Sequence, residues 1–243
     1  MNEAEYGRMH DAEDTYWWFV ARRELALGWM PRERSSTLDL GCGTGVTLGL
    51  LQQKGWVVGL DFSVTALDFC LRRGLKNLVQ GDGAQLPFTS NAFDAVITLD
   101  TIEHIENDRA VIAEIFRVLR PGGVVVTSVP AYRWLWGPHD VALMHYRRYS
   151  RGEFQRLLAA AGFEVERASY SVFLLFPCVL VVRVLDRLFR RSPEVRLPAL
   201  PQGLNRILIA VMRFEGAMLR KFNLPWGSSV IAVARKPESP RIP

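Results

Sequence analysis

The sequence predicts a doubly wound α/β fold on three observations. Between Thr37 and Val129, short apolar runs alternate with amphipathic stretches of helical length, as in strands joined by right-handed crossovers into a parallel sheet. Glycines at alternate positions, Gly41, Gly43 and Gly45, stand between the first run and the first of those helices. Each of the first three runs also ends on or beside an acid: Asp39, Asp61 and Asp82. Ligands of such a fold bind beyond the carboxyl ends of the strands.

The elements follow in order. Asp14 to Met30 interleaves Ala, Arg and Glu with large apolar residues and reads as a helix, and Pro31 to Ser36 is a polar break. Strands are expected at 37–40, 56–60, 77–80, 93–99 and 123–129. Helices are expected at 47–54, 63–73 and 108–119, the last stopped by Arg120-Pro121-Gly122-Gly123. An aromatic, histidine-bearing loop (130–149) leads to a helix at 150–161. Ser150 and Glu153 have the spacing of a capping box there, and Gly162 ends it. Strands at 163–169 and 228–235 complete the pattern, and Pro237 to Pro243 reads as a tail. The reading divides the chain into an amino-terminal helical cap (1–36), a core (37–169 and 224–236) and a helical insertion (170–223).

Composition narrows the function. With 243 residues, 49% hydrophobic and 23% charged, the chain buries a real core and is neither disordered nor collagen-like. The three cysteines, Cys42, Cys70 and Cys178, are too few and too scattered for a disulfide scaffold or a Cys-x-x-Cys site. The four histidines form no zinc-type pair on one helix face, so no metal site is expected. The acidic, polar segment Met1 to Asp14 carries no secretory signal, which together with reduced thiols points to the cytoplasm. The net charge of +5 arises late, in Arg147-Arg148, Arg183 to Arg196 and Arg213 to Lys221. Such a basic third fits phosphates, nucleic acid, an anionic membrane surface or simply solvated helix faces.

The glycine turn argues against two phosphate-binding readings. A dinucleotide fingerprint needs glycine at Val46 or Leu48, and a phosphate-binding P-loop needs Gly-Lys-Ser/Thr; neither is present. Asp61, 20 residues after Gly41, is placed to accept ribose hydroxyls, and Asp82 to accept from an adenine amino group.

Five stretches in order carry a resemblance: Leu38-Asp39-Leu40-Gly41-Cys42-Gly43-Thr44-Gly45, Gly59-Leu60-Asp61-Phe62-Ser63, Gly81 to Phe88, Phe93 to Ile97 with Glu103-His104, and Leu119 to Gly123. The chain resembles the class I S-adenosylmethionine-dependent methyltransferases, bacterial small-molecule and quinone-type enzymes among them. The resemblance implies a seven-stranded Rossmann-like sheet with its last strand, 228–235, antiparallel. It places Asp39 and Gly41 near the methionine amino group of S-adenosylmethionine and Asp61 at the ribose, with Cys42, Gly43, Gly45 and Phe62 among the cofactor-binding residues. Asp82, Gly83 and Ala84 would face the adenine, and Leu99 with Asp100 would lie beneath the methionine portion. S-adenosylhomocysteine would be the product.

On the acceptor side, His104 follows the fourth strand, and His139 and His145 occupy the loop after the fifth. All three are candidate general bases, with packing or loop bracing as the alternative. Tyr16-Trp17-Trp18-Phe19 with Arg22-Arg23 reads either as a helix packed on the sheet or as a lid, in which Trp18 shields the cofactor and Arg22 reaches a carboxylate.

In the insertion, the apolar run Val172 to Val182 is too short to span a bilayer and is interrupted by Pro177. With a second helix at 205–222 it forms either an interfacial hairpin on the inner face of the membrane, or a cap or homodimer surface. The expected acceptor is a small molecule, lipid-like or lipid-linked, methylated on oxygen. Nucleic acid is disfavoured because the basic residues sit on apolar helices and no Asn-Pro-Pro-Tyr-type tetrapeptide occurs.

Overall fold

A computed structural model describes residues 3–31, 35–188 and 198–238. Arg190, Arg191 and the end of the expected tail lie outside the described residues. The strands are β1 (Thr37–Leu40), β2 (Val57–Asp61), β3 (Leu78–Gln80), β4 (Phe93–Leu99), β5 (Leu119–Pro130), β6 (Glu164–Ser171) and β7 (Ser229–Arg235). They form one sheet in the order β3-β2-β1-β4-β5-β7-β6, with β7 antiparallel to both neighbours. The order reverses between β1 and β4, which creates the crevice where doubly wound folds bind ligands.

The central strands are apolar on both faces because both faces are covered. Leu38, Leu40, Val96, Val125 and Val129 pack into one core layer, while Ala95, Ile97, Val124 and Val126 pack into the other. The crossover helices are α3 (Val46–Gln52), α4 (Val64–Arg72), α5 (Asp108–Val118) and, after a short α6 (Pro138–Ala142), α7 (Arg151–Ala160). Ser63 caps α4 by accepting from the Ala66 amide at 3.3 Å, and Asn107 caps α5 by accepting from the Ala110 amide at 3.0 Å. The Ser150–Glu153 capping box is present at α7, which ends before Gly162 at a φ of 100°.

The departures from expectation have local causes. The segment before Asp14 is helical, α1 (Glu3–Glu13), and the expected first helix is shorter, α2 (Trp17–Leu27). Between them the chain turns at Ala12, whose carbonyl accepts from the Thr15 and Tyr16 amides. β5 begins at Leu119, not Gly123: Arg120 to Gly123 is absorbed as a register shift against β4, with Gly122 at a φ of 77°. Pro177 does not interrupt the apolar helix. It lies in the first turn of α8 (Phe176–Leu188), where a missing amide proton costs nothing.

The insertion is bound to the amino-terminal helices. In α9 (Gln202–Leu219), the Asn205 side chain accepts from the Trp17 amide at 2.9 Å and donates to the Thr15 carbonyl at 2.8 Å, so it caps α2 from 188 residues away. Arg213, one of the late basic residues, pairs in a two-pronged contact with Glu24 at 2.6 and 2.8 Å. Glu215 is fully buried and accepts from the Val172 amide at 2.6 Å and the Leu174 amide at 2.9 Å. These bonds hold the turn between β6 and α8, in which Val172 takes a φ of 61°, unfavourable for a β-branched residue.

Glu215→Ala leaves two buried amides without acceptors and is expected to destabilise the fold by about 3 kcal/mol. Glu215→Gln, which keeps one acceptor, is expected to cost less. Urea unfolding of the two variants measures the difference.

Candidate active site

The carboxyl ends of β1, β2 and β4 open into one cavity of about 1020 Å³. Its floor is the turn after β1. The Gly41 and Cys42 amides both donate to the Leu60 carbonyl, at 2.8 and 3.0 Å, so the turn folds back against β2. Gly41 takes a φ of 74°, and a Cβ there would come within 2.2 Å of the Thr101 hydroxyl, so only glycine closes the turn under the exit of β4. Asp61 then braces the turn, accepting from the Gly43 amide at 2.9 Å and the Ser63 amide at 2.9 Å.

Asp39 is the electrostatic centre. It is 3% exposed, lines the cavity, and its Oδ2 has no hydrogen-bond partner. Burial, reinforced by the neighbouring Asp61 and Glu13 carboxylates, pushes its pKa up to about 7. Asp61 and Glu13 are also raised by burial. Three carboxylates crowded in a low-dielectric site leave an unfilled demand for a cation.

Two residues of α1 make contacts around this centre. Glu13 bonds the Thr44 hydroxyl and pairs with Arg73 at 3.1 Å, and the Tyr6 hydroxyl donates to Asp61 at 3.5 Å. From α2, Trp18 lines the cavity and Arg22 pairs with Asp100, a carboxylate of the chain itself. Burial works to raise the Asp100 pKa, but the Arg22 charge and the hydrogen bonds from Arg22 and Ser128 hold it below the usual range. Arg23, the neighbouring candidate, turns away and donates to the Glu13 carbonyl at 2.9 Å.

Of the other expected cofactor residues, Cys42, Phe62, Gly83 and Leu99 line the cavity, and Asp82 stands exposed at its rim. Gly45 and Ala84 do not line it. Gly45 is the N-cap of α3 at a φ of 95°, with the space for a Cβ taken by Leu75 and Cys70. Ala84 packs its side chain against the core, while its amide donates to Asp82 at 2.8 Å and shapes that turn.

The three candidate histidines all line the cavity. Burial pushes His104 down to about 3, with His145 adding to the effect, and pushes His139 down to about 3, with Arg183 adding. Rings so reluctant to take a proton suit neutral ligation or packing better than general-base work. His145 bonds Asp140 at 2.9 Å, and Asp140 in turn holds Arg148 at 2.7 Å. Burial opposes ionisation of Asp140, yet these two partners keep it well below the carboxylate range. Beside them Glu103 is fully buried, and neither of its oxygens has a hydrogen-bond partner.

The far wall is apolar. Leu175, Val179 and Val182 on or beside α8 and Leu208 on α9 face the same cavity as Asp39. Sequence reasoning missed α1 and the complete burial of Glu103, which it read only beside His104 after the fourth strand. The first lacks an apolar stripe, and the second depends on loops distant in sequence. The expectation of no metal site considered ligands on one helix face, whereas Glu103, His104 and His145 converge from two loops.

Comparison with known proteins agrees with this geometry. Residues 38–127 match the family model described as a methyltransferase domain. A Mycolicibacterium smegmatis protein named "Probable S-adenosylmethionine-dependent methyltransferase" is 33% identical over 162 residues, 64% of this chain and 62% of that protein. A demethylmenaquinone methyltransferase of Corynebacterium kroppenstedtii is 38% identical over 111 residues, 45% of this chain and 46% of its own length. The chain therefore aligns with less than two thirds of either relative. A Thermotoga maritima structure titled as a SAM-dependent methyltransferase superposes with a TM-score of 0.64 at 17% identity, over 96% of this chain and 95% of that one, which shows the shared fold.

The raised Asp39 pKa has a stability consequence. Between about pH 4, where this group ionises in the unfolded chain, and about pH 7, the folded chain holds the extra proton, so the contribution of Asp39 to stability falls as pH rises. Asp39→Asn is expected to stabilise the ligand-free protein at about pH 8 by on the order of 2 kcal/mol, with the gain vanishing near pH 4. Urea unfolding across that range measures it.

Proposed function

We propose that the chain is a class I, S-adenosylmethionine-dependent methyltransferase that methylates a small acceptor with an apolar, lipid-like body, at an acceptor oxygen; the match of residues 38–127 to a methyltransferase domain and the likeness to the Mycolicibacterium smegmatis protein support this reading. One observation carries the reading: a single cavity joins an acid-lined floor to an apolar wall contributed by the insertion.

The residues present fit the cofactor. The partnerless oxygen of Asp39, in a pocket of three carboxylates, complements a ligand that bears both an ammonium and a sulfonium cation. Asp61 at the end of β2 and Asp82 at the end of β3 stand where the ribose and adenine are held in this fold. Bound there, S-adenosylmethionine supplies an electrophilic methyl carbon. What the chain contributes is alignment and exclusion of water. Trp18 and the Arg22–Asp100 pair cover the site from α2, and α1 covers it from the side of Asp61.

The insertion supports a lipid-like acceptor. While Val179 and Leu208 face inward, Val181, Ile207 and Phe214 are 58%, 61% and 63% exposed, and Arg206, Arg220 and Lys221 are exposed near them in sequence. No helix among the described residues is long and apolar enough to cross a membrane. We read α8 and α9 as lying on the inner face of an anionic bilayer, with the enzyme in the cytoplasm and the acceptor entering between them. The demethylmenaquinone methyltransferase relative, named for a quinone acceptor, favours the same class.

Calorimetry is expected to show S-adenosylmethionine binding that weakens toward tenfold per pH unit below about 7, as Asp39 takes up its proton. In Asp39→Asn the affinity should drop at least about tenfold and the pH dependence flatten. Incubation with labelled cofactor and separated extracts should put the label in the lipid fraction; label confined to water-soluble products would overturn the lipid reading. Flotation with anionic liposomes should carry the protein upward, and a salt-insensitive dimer that leaves the liposomes behind would assign the exposed faces to a second copy instead.

A further inference from the structure

Glu103 and His104 sit on the single turn that follows β4, and His145 on the loop after α6. One ligand atom from each lies within 4.8 Å of the other two. Neither oxygen of Glu103 has a hydrogen-bond partner, although the residue is 0% exposed, and the Nδ1 of His104 is buried and equally without one. Buried acceptors are almost always satisfied, and an unpaired buried carboxylate is among the costliest groups in a fold. None of these atoms finds a partner in another, and a cation at the centre of the cluster would satisfy all of them at once.

The surroundings are those of a ligand shell. The Nδ1 of His104, buried and without a partner, is open to a ligand. His145 gives its Nδ1 to Asp140, whose other oxygen accepts from the Gly137 amide at 2.9 Å while Arg148 holds the first. A carboxylate behind an imidazole fixes its tautomer and orientation, the usual outer support of a histidine ligand. The two rings stand nearly perpendicular, 79° apart with centroids at 4.6 Å, so they present their nitrogens from different directions rather than stacking.

We propose that Glu103, His104 and His145 bind a divalent transition-metal ion of the zinc type. Two imidazoles and one carboxylate are the donor set of such ions, whereas magnesium and calcium prefer oxygen throughout. Small side-chain rotations close the three atoms on an ion at about 2.0–2.2 Å. Because these residues line the cavity between Asp100 and the apolar wall, the ion's remaining position takes an oxygen of the acceptor and lowers its pKa. This last role rests on the methyl-transfer reading; the ion site itself does not.

The test uses the full chain, stripped with chelator and then dialysed against Zn²⁺ or Co²⁺. Bound metal is counted by mass spectrometry, and the visible bands of bound Co²⁺ report nitrogen and oxygen ligation. About one ion per chain is expected, with affinity reduced at least about tenfold in both Glu103→Gln and His145→Asn. Cys178→Ser, which removes the exposed thiol, should bind as the parent does. S-adenosylmethionine affinity, measured on the same samples, should stay within about twofold of the parent, since Asp39 and Asp61 are untouched. A chain that takes up no ion, or one that keeps full affinity in both folded variants, overturns the proposal. Loss of cofactor binding with the ion retained would instead overturn the methyltransferase reading.

Discussion

A carboxylate with an unmatched oxygen, buried at the switch point of a parallel sheet, is the constraint around which the rest of this structure is arranged. Asp39 sits on a central strand because the glycine turn that follows must pass directly under the exit of β4. Its neighbours make its position worse electrostatically, since Asp61 and Glu13 are also carboxylates. The fold tolerates this because the surrounding core is large and apolar on both faces of the sheet. Local cost at one point is the common price of a prepared binding site, where the ligand's charge completes what the apo protein leaves open.

The two ends of the chain cooperate in covering that point. α1 and α2 supply the roof over Asp39 and Asp100, but α2 is held in turn by α9, through Asn205 and the Glu24–Arg213 pair. Glu215 ties the same helix to the turn after β6. The insertion is thus joined to the cofactor side as well as to the apolar side of the cavity, so a change in its position is transmitted to Arg22 and Trp18 through α2.

What could be read from the sequence was whatever depends on neighbours in the chain. The strands, the Ser150–Glu153 capping box, the glycine turn and the acids at the strand ends are local patterns, and the structure has each of them. The likeness of five successive motifs then predicted the antiparallel last strand, which no local pattern encodes. The helix before Asp14 was invisible because its apolar contacts, Tyr6 and Met9, are sparse and its buried acids read as solvent-facing. Glu103 was read only as part of a motif, since its complete burial depends on the loop that carries His145. Gly45 shows where a local pattern stops informing: glycine in a binding turn and glycine capping the next helix look alike until Leu75 and Cys70 are seen behind it.

The capping of α2 by Asn205 has a bearing on how the cavity is closed. The helix that roofs the cavity takes the anchor of its first turn from a side chain 188 residues further along the chain. That anchor precedes β7, the strand that fills the sheet between β5 and β6, so the roof and the sheet both depend on segments on the far side of β6. The opening over Asp39 and Asp100 is therefore held shut by a long-range contact and not by α2 alone.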